Sequence, residues 1–247
     1  ESFNPSDKMS GGKISINKNL SDSSNIFMSI ARGFNQGGFN LNLGLAPESK
    51  NTNLYYDPEF LTNYEIGFNS QLFNKMMNVS AVIFYSDRDD QQVLISTQVD
   101  PADPNTFSFL TQNAAEGINK GIELNLDMEL SESIYFFLRF GLLQTDINNW
   151  KSRPDLEGRA QAHAPKKSFA LGINWSITDR ASLSIDLVGK SSFYYSDSHD
   201  NQSSSYSLTN INYDYSIGRW TYSIWARNVF DEYYSVRGFY FGNEAPD

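Results

Sequence analysis

The chain has 247 residues, 19 Lys and Arg against 29 Asp and Glu, a formal charge of −10, and no cysteine. An acidic chain without a Lys/Arg cluster has nothing to neutralise a phosphate backbone, which excludes a nucleic-acid partner. Without thiols it has neither disulfide staples nor thiolate metal sites. Mean hydropathy is −0.46, and no apolar run approaches the ~18 residues of a spanning helix. Spanning strands stay open as a reading, because they are apolar only at alternate positions. Aromatic residues make up 15% of the chain, a share expected where rings line a membrane interface. The opening residues Glu1-Ser2-Phe3-Asn4-Pro5 lack the charged and apolar stretches of a signal peptide.

Strand signals run from end to end, and helical periodicity is absent. Strands are predicted near 12–20, 25–34, 60–72, 76–87, 118–130, 134–145, 166–177, 181–191, 206–216 and 219–230. Ile14 and Ile16 mark the first, and Tyr64, Ile66 and Phe68 the third. The clearest is the fifth, where Ile122, Leu124, Leu126, Met128 and Leu130 interleave with Glu123, Asn125, Asp127 and Glu129. Successive side chains point to opposite faces, so one face is wholly apolar and the other wholly polar. Such a strand has no place in a core buried on both sides. Phe169, Leu171, Ile173, Trp175 and Ile177 repeat the pattern, as do Leu183, Ile185 and Leu187, whereas 134–143 alternates poorly.

The connections alternate in length. Ser21–Ser24, Phe73–Lys75, Ser131–Ser133, Thr178–Arg180 and Ile217–Gly218 are tight turns; 35–59, 88–117, 146–165 and 192–205 are long and polar. Short turns on one side and long loops on the other are the mark of an outer-membrane barrel, and a soluble sandwich has no reason to keep that asymmetry. Aromatics are expected at both interfaces: Phe34, Tyr85, Tyr194, Tyr195, Tyr233 and Tyr234 at the loop ends, Phe73, Tyr135, Trp175 and Trp220 at the turn ends. Pro47, Pro101, Pro104, Pro154 and Pro165 all fall in the loops, as strand pairing requires. The predicted fold is therefore an all-β, antiparallel transmembrane β-barrel. About ten strands leave two open edges that lipid does not tolerate, which predicts that the native polypeptide continues at both ends.

Specific residues then resemble a known family. Tyr56-Asp57-Pro58-Glu59 followed by Asn63-Tyr64-Glu65-Ile66-Gly67 is similar to a stretch of TonB-dependent receptor barrels. Ala31-Arg32-Gly33-Phe34 with Gly37-Gly38-Phe39-Asn40 resembles the strand and loop before it. Asn113 through Gly121-Ile122-Glu123-Leu124 and Asn228-Val229-Phe230-Asp231-Glu232-Tyr233-Tyr234 resemble two later signatures in the same order. The resemblance implies a barrel of about 22 strands closed around an N-terminal plug, with this chain as its C-terminal portion, lacking the plug and the final strand. It implies location in the bacterial outer membrane, contact with its lipid, and energy supplied by the TonB complex through the N-terminal part. It also implies uptake of ferric siderophores, with haem, cobalamin or an oligosaccharide as other nutrients of the family; a passive porin shares the barrel physics without the plug.

Ligands of such a receptor are expected at the mouth. The candidate groups there are Tyr55, Tyr56, Arg88, Gln91, Gln92, Trp150, Arg153, Tyr194, Tyr195 and His199, of which Arg88 and Arg153 suit anionic oxygens. Interface aromatics and solvated loop polars are the plainer reading of the same residues. Glu65, Glu123, Asp127, Glu129 and Arg227 are expected to face the lumen or the plug. The runs Asp87-Arg88-Asp89-Asp90 and Asp197-Ser198-His199-Asp200 lack the spacing of a calcium loop and read as solvated charge. With two histidines, in different loops, and no nucleophile elbow, no catalytic residue, metal or cofactor is expected, and the chain is not read as an enzyme.

Overall fold

The two-residue rhythm becomes register. The computed structural model describes residues 6–40, 54–98, 103, 107–150, 154–196 and 200–238. Its strands are β1 (Gly12–Ser21), β2 (Ser24–Asn35), β3 (Gly38–Phe39), β4 (Tyr55–Tyr56), β5 (Glu59–Leu72), β6 (Met77–Gln98), β7 (Phe107–Ser131), β8 (Ile134–Asn149), β9 (Lys167–Thr178), β10 (Ala181–Lys190), β11 (Tyr206–Ile217) and β12 (Trp220–Ala226). Ten of them form one antiparallel meander in the order β1-β2-β5-β6-β7-β8-β9-β10-β11-β12, and β3 pairs β4 in a separate two-stranded sheet. Strands β1 and β12 are both edges, so the sheet is a partial barrel and not a closed one. Among the described residues no helix is long and apolar enough to cross a membrane, which says nothing of crossing by strands.

Pairing lines up the alternation across the whole sheet. Met28, Ile66, Ile83, Ile122 and Leu142 stand in one cross-strand row, and Leu138, Leu171 and Leu187 share another. Among the described residues this apolar face has no second layer over it: Ile16 is 70% exposed and Ile83 60%. A water-soluble fold would bury such a face. At its loop end stand Phe34 beside Phe60 and Tyr64 beside Tyr85; at its turn end stand the exposed Phe73, Trp175 and Trp220.

The opposite face is polar and held by side-chain hydrogen bonds. Ser29 donates to Glu65 (3.0 Å), Asn63 donates to Glu65 (2.8 Å) and Ser86 to Asn63 (2.6 Å). Glycine serves this face by its lack of bulk. A Cβ on Gly67 would lie 2.1 Å from the Phe27 ring, and one on Gly121 would lie 2.2 Å from the Leu142 carbonyl oxygen and 2.8 Å from the Phe84 ring. Each ring lies over the glycine of the next strand, which explains why Gly67 and Gly121 sit inside otherwise regular strands.

Two expectations need correction. The segment 88–117 is not a loop: β6 and β7 continue through most of it as a ribbon. Strand β5 stops pairing at Asp89, and β8 begins pairing at Glu116. Beyond those points the two strands pair only with each other, and they project roughly 25 Å above their neighbours at the usual rise per residue. The ribbon leaves the sheet's two faces and meets the connections instead, Val93 packing on Ile147, Trp150 and Leu156, so the two-residue rhythm of the sheet does not carry into it. Tyr135, in turn, is not a belt residue. It pairs with Glu129 and Asn174 on the polar face, where its hydroxyl donates to Asp127.

Candidate ligand site at the long-connection end

The ribbon leaves the sheet at a β-bulge. Register shifts on both sides of Gln91, and Asp90, just before it, takes φ 54°. An extra residue there bends the strand and re-aims side chains, a common device beside binding sites. Gln91 is turned inward and is 7% exposed.

Around the bulge a polar cluster is assembled from separate elements. Arg88 Nε donates to Glu59 Oε1 at 2.8 Å, its Nη2 contacts the same oxygen, and Nη1 donates to Gln161 Oε1 at 3.3 Å. Glu59, 8% exposed, accepts a further bond from the Gln92 backbone N–H at 3.0 Å. An ion pair this sheltered is held by those extra bonds, which offset the loss of hydration. The Gln92 side chain accepts from Asn35 Nδ2 (2.8 Å) and donates to the carbonyls of Gln36 (2.9 Å) and Asp57 (3.0 Å).

The β8–β9 connection folds back over this cluster. Ile147 N–H donates to the Arg159 carbonyl (3.0 Å), Gly158 N–H to the Ile147 carbonyl (2.7 Å), and Gln161 N–H to Thr145 Oγ1 (2.9 Å). Gly158 takes φ 78°, a left-handed conformation that glycine adopts without strain. Val93, Ile147, Trp150 and Leu156 form a small apolar core under it. Trp150 is 2% exposed, so it packs this core and presents no face to a ligand. Further along, Arg159 lies over the Tyr194 ring at 3.9 Å, and Phe193 meets Tyr195 edge-on at 5.9 Å and His163 at 5.7 Å.

Strands β3 and β4 add a third group. Phe39 meets Tyr55 at 5.5 Å, and Tyr56 pairs with Gly38. The Tyr55 hydroxyl donates to the Asp7 carboxylate. That bond, with the nearby charges of Asp7 and Asp57, pushes the Tyr55 pKa up to about 12.

Below the mouth the polar face carries the expected carboxylates. Glu65, Glu123, Asp127 and Glu129 all fall on it by register. Asp127 pairs with Arg139 at 2.5 Å, while Arg227 lies over the Trp225 ring at 5.5 Å, beyond the end of β12. A cavity of about 600 Å³ runs along this face past Glu123, Arg139 and Lys190 to Tyr206 and Tyr234, whose tilted rings meet at 4.8 Å. Tyr234 is therefore turned to the polar face rather than to the interface, and Tyr194 and Tyr195 are likewise engaged within the connections.

The structure thus brings Arg88, Gln91 and Gln92 together, sets Tyr55 and Tyr56 on the neighbouring β3–β4 segment, and collects Tyr194 and Tyr195 around Arg159 and Phe193. Arg153 and His199 lie outside the described residues. Glu59, Asn40, Asn113 and Gln161 were missed as site residues. Glu59, Asn40 and Asn113 stand in the quoted motifs and are within reach of the sequence; Gln161 carries no signal of its own.

A family profile described as "TonB dependent receptor-like, beta-barrel" matches residues 10–229. The chain belongs to the TonB-dependent receptor β-barrel family, whose members and structural relatives are transport receptors rather than enzymes. Among solved structures, the siderophore receptor PiuA of Acinetobacter baumannii is 18% identical with a TM-score of 0.72, the match covering 91% of this chain and 32% of that one. The ferric yersiniabactin uptake receptor FyuA of Yersinia pestis is 16% identical with a TM-score of 0.73, covering 94% and 34%. The copper transporter OprC shares the fold at 13% identity with a TM-score of 0.70, covering 91% and 34%. The chain spans about a third of the length of these structures.

Proposed function

We propose that this chain is the C-terminal portion of the barrel of an energy-coupled receptor of the bacterial outer membrane that takes up ferric siderophores. One observation carries the reading. A single sheet has an uncovered apolar face, a polar face and, at one end only, long connections that fold into a hydrogen-bonded mouth. Lipid outside, water inside and a ligand above account for all three. The apolar face meets outer-membrane lipid, and the polar face meets the plug. The mouth offers tyrosines and amides to a hydroxylated chelate, with Arg88, paired to Glu59, holding the floor beneath them. PiuA and FyuA support the choice of ligand class, while OprC shows that the fold also serves a metal. Energy reaches the barrel from the TonB complex through the N-terminal part.

The test is growth of a strain with and without the full-length gene on single ferric chelates, together with equilibrium binding to the purified receptor. Gene-dependent growth that an uncoupler of the proton gradient abolishes is the expected result. Uptake that survives the uncoupler would make the protein a passive pore, and failure to bind any ferric chelate would remove the siderophore.

A further inference from the structure

We infer that the described parts of the β2–β5 connection and the β6–β7 ribbon form one preformed arm, keyed by Asn113 as its positioning residue. No strand pairing joins the two, since β3 and β4 form a sheet separate from the ten-stranded one. Side-chain amides take the place of the ladder.

Asn113 Oδ1 accepts from the Asp57 N–H at 2.6 Å, and its Nδ2 donates to the Asp57 carbonyl and the Asp90 carbonyl, each at 2.8 Å. Asn40, itself buried, repeats the device: Nδ2 donates to the Thr111 carbonyl and Oδ1 accepts from the Thr111 N–H, each at 2.8 Å. Gln92 adds its bonds to Asn35, Gln36 and Asp57 from the base of the ribbon.

A primary amide carries a donor and an acceptor in one plane, as a peptide group does. Bonding to both the N–H and the C=O of one residue fixes orientation as well as distance. A hydroxyl offers no such fork, and a carboxylate has no donor. Asn113 also spans the bulge, because its Asp90 partner is the residue at φ 54°. The same clamp therefore holds the bend of the ribbon and the position of Asp57 beside it. Phe39, Tyr55 and Tyr56 are carried on this arm in place before a ligand arrives, which lowers the ordering cost of binding. Nothing in this depends on which ligand binds.

Hydrogen exchange by mass spectrometry on the full-length receptor in detergent tests it, comparing wild type, Asn113→Ala and Asn113→Asp. Both variants are expected to speed exchange across 54–58 by about tenfold or more. The Asn40 N–H, which donates to the Leu54 carbonyl at 2.8 Å, should follow it. Exchange across 62–70 and the melting temperature should stay unchanged. Asn113→Asp keeps the shape and loses the donors, so its release separates hydrogen bonding from packing. The inference is overturned if 54–58 stays protected in both variants, or if it loosens only together with 62–70.

Discussion

Along the belt, Ile66, Ile83 and Ile122 stand side by side on one face, and Gly67, Val82 and Glu123 stand side by side on the other. At the mouth, Glu59, Arg88 and Gln161 meet from β5, β6 and the β8–β9 connection, with no common row or period. The belt is specified by what lies on each side of it, so every second residue repeats the same instruction. The mouth is specified by particular partners far apart in sequence, most of them amides and charges. A change in the belt should therefore act through the surrounding medium, and a change in the mouth through its local contacts.

The largest effect should come from the apolar core of the mouth. Trp150→Ala removes its largest side chain and is expected to cost about 3–5 kcal/mol of local stability. Hydrogen exchange across 156–161 would report it, with the belt strands unaffected. If Trp150 were a ligand contact instead, the variant would lose affinity while those amides stayed protected.

Next comes the belt itself. Leu124→Arg places a charge near the middle of the apolar face and should cost about 2–4 kcal/mol in a bilayer. Glu123→Arg, one residue away on the polar face, should change stability by no more than about 0.5 kcal/mol. Denaturant titration of the full-length receptor in lipid vesicles measures both. Equal losses would mean that the two faces do not see different media.

This division also decides what could be read in advance. The ten main strands are legible to within a few residues wherever apolar and polar side chains alternate. Strand β8 was the weakest because its polar face is not all in water. Phe137 lies against Gly172, and Ile147 lies under the β8–β9 connection, so apolar side chains occupy both faces. The ribbon is hidden for another reason: its burial comes from the connections around it, as at Val93, and not from the two faces of the sheet. Arg88, Gln91 and Gln92 stand out by chemical type and Asn40 within a quoted motif, but Gln161 is an ordinary amide until the chain brings Arg88 to it. The sheet's two signatures at Gly67 and Gly121 were recognised as a resemblance, and their physical reason, a ring in the next strand, needed coordinates.

The smallest expected effect is also local to the mouth. Tyr55 donates to Asp7, and losing its proton would set a phenolate against that carboxylate with Asp57 nearby. Its pKa accordingly stands at about 12 rather than 10.0. A raised value in the folded state means that the contribution of this bond is complete below the unfolded pKa of about 10 and is lost as pH rises through the folded one. Difference absorbance of tyrosinate between wild type and Tyr55→Phe should then show one component titrating near 12. In Asp7→Asn the same component should fall back toward the ordinary tyrosine value, because a neutral amide neither repels the phenolate nor accepts as strong a bond. A component already at the ordinary value in wild type would mean that Asp7 does not hold the hydroxyl, and that the β3–β4 segment is secured from the ribbon side alone.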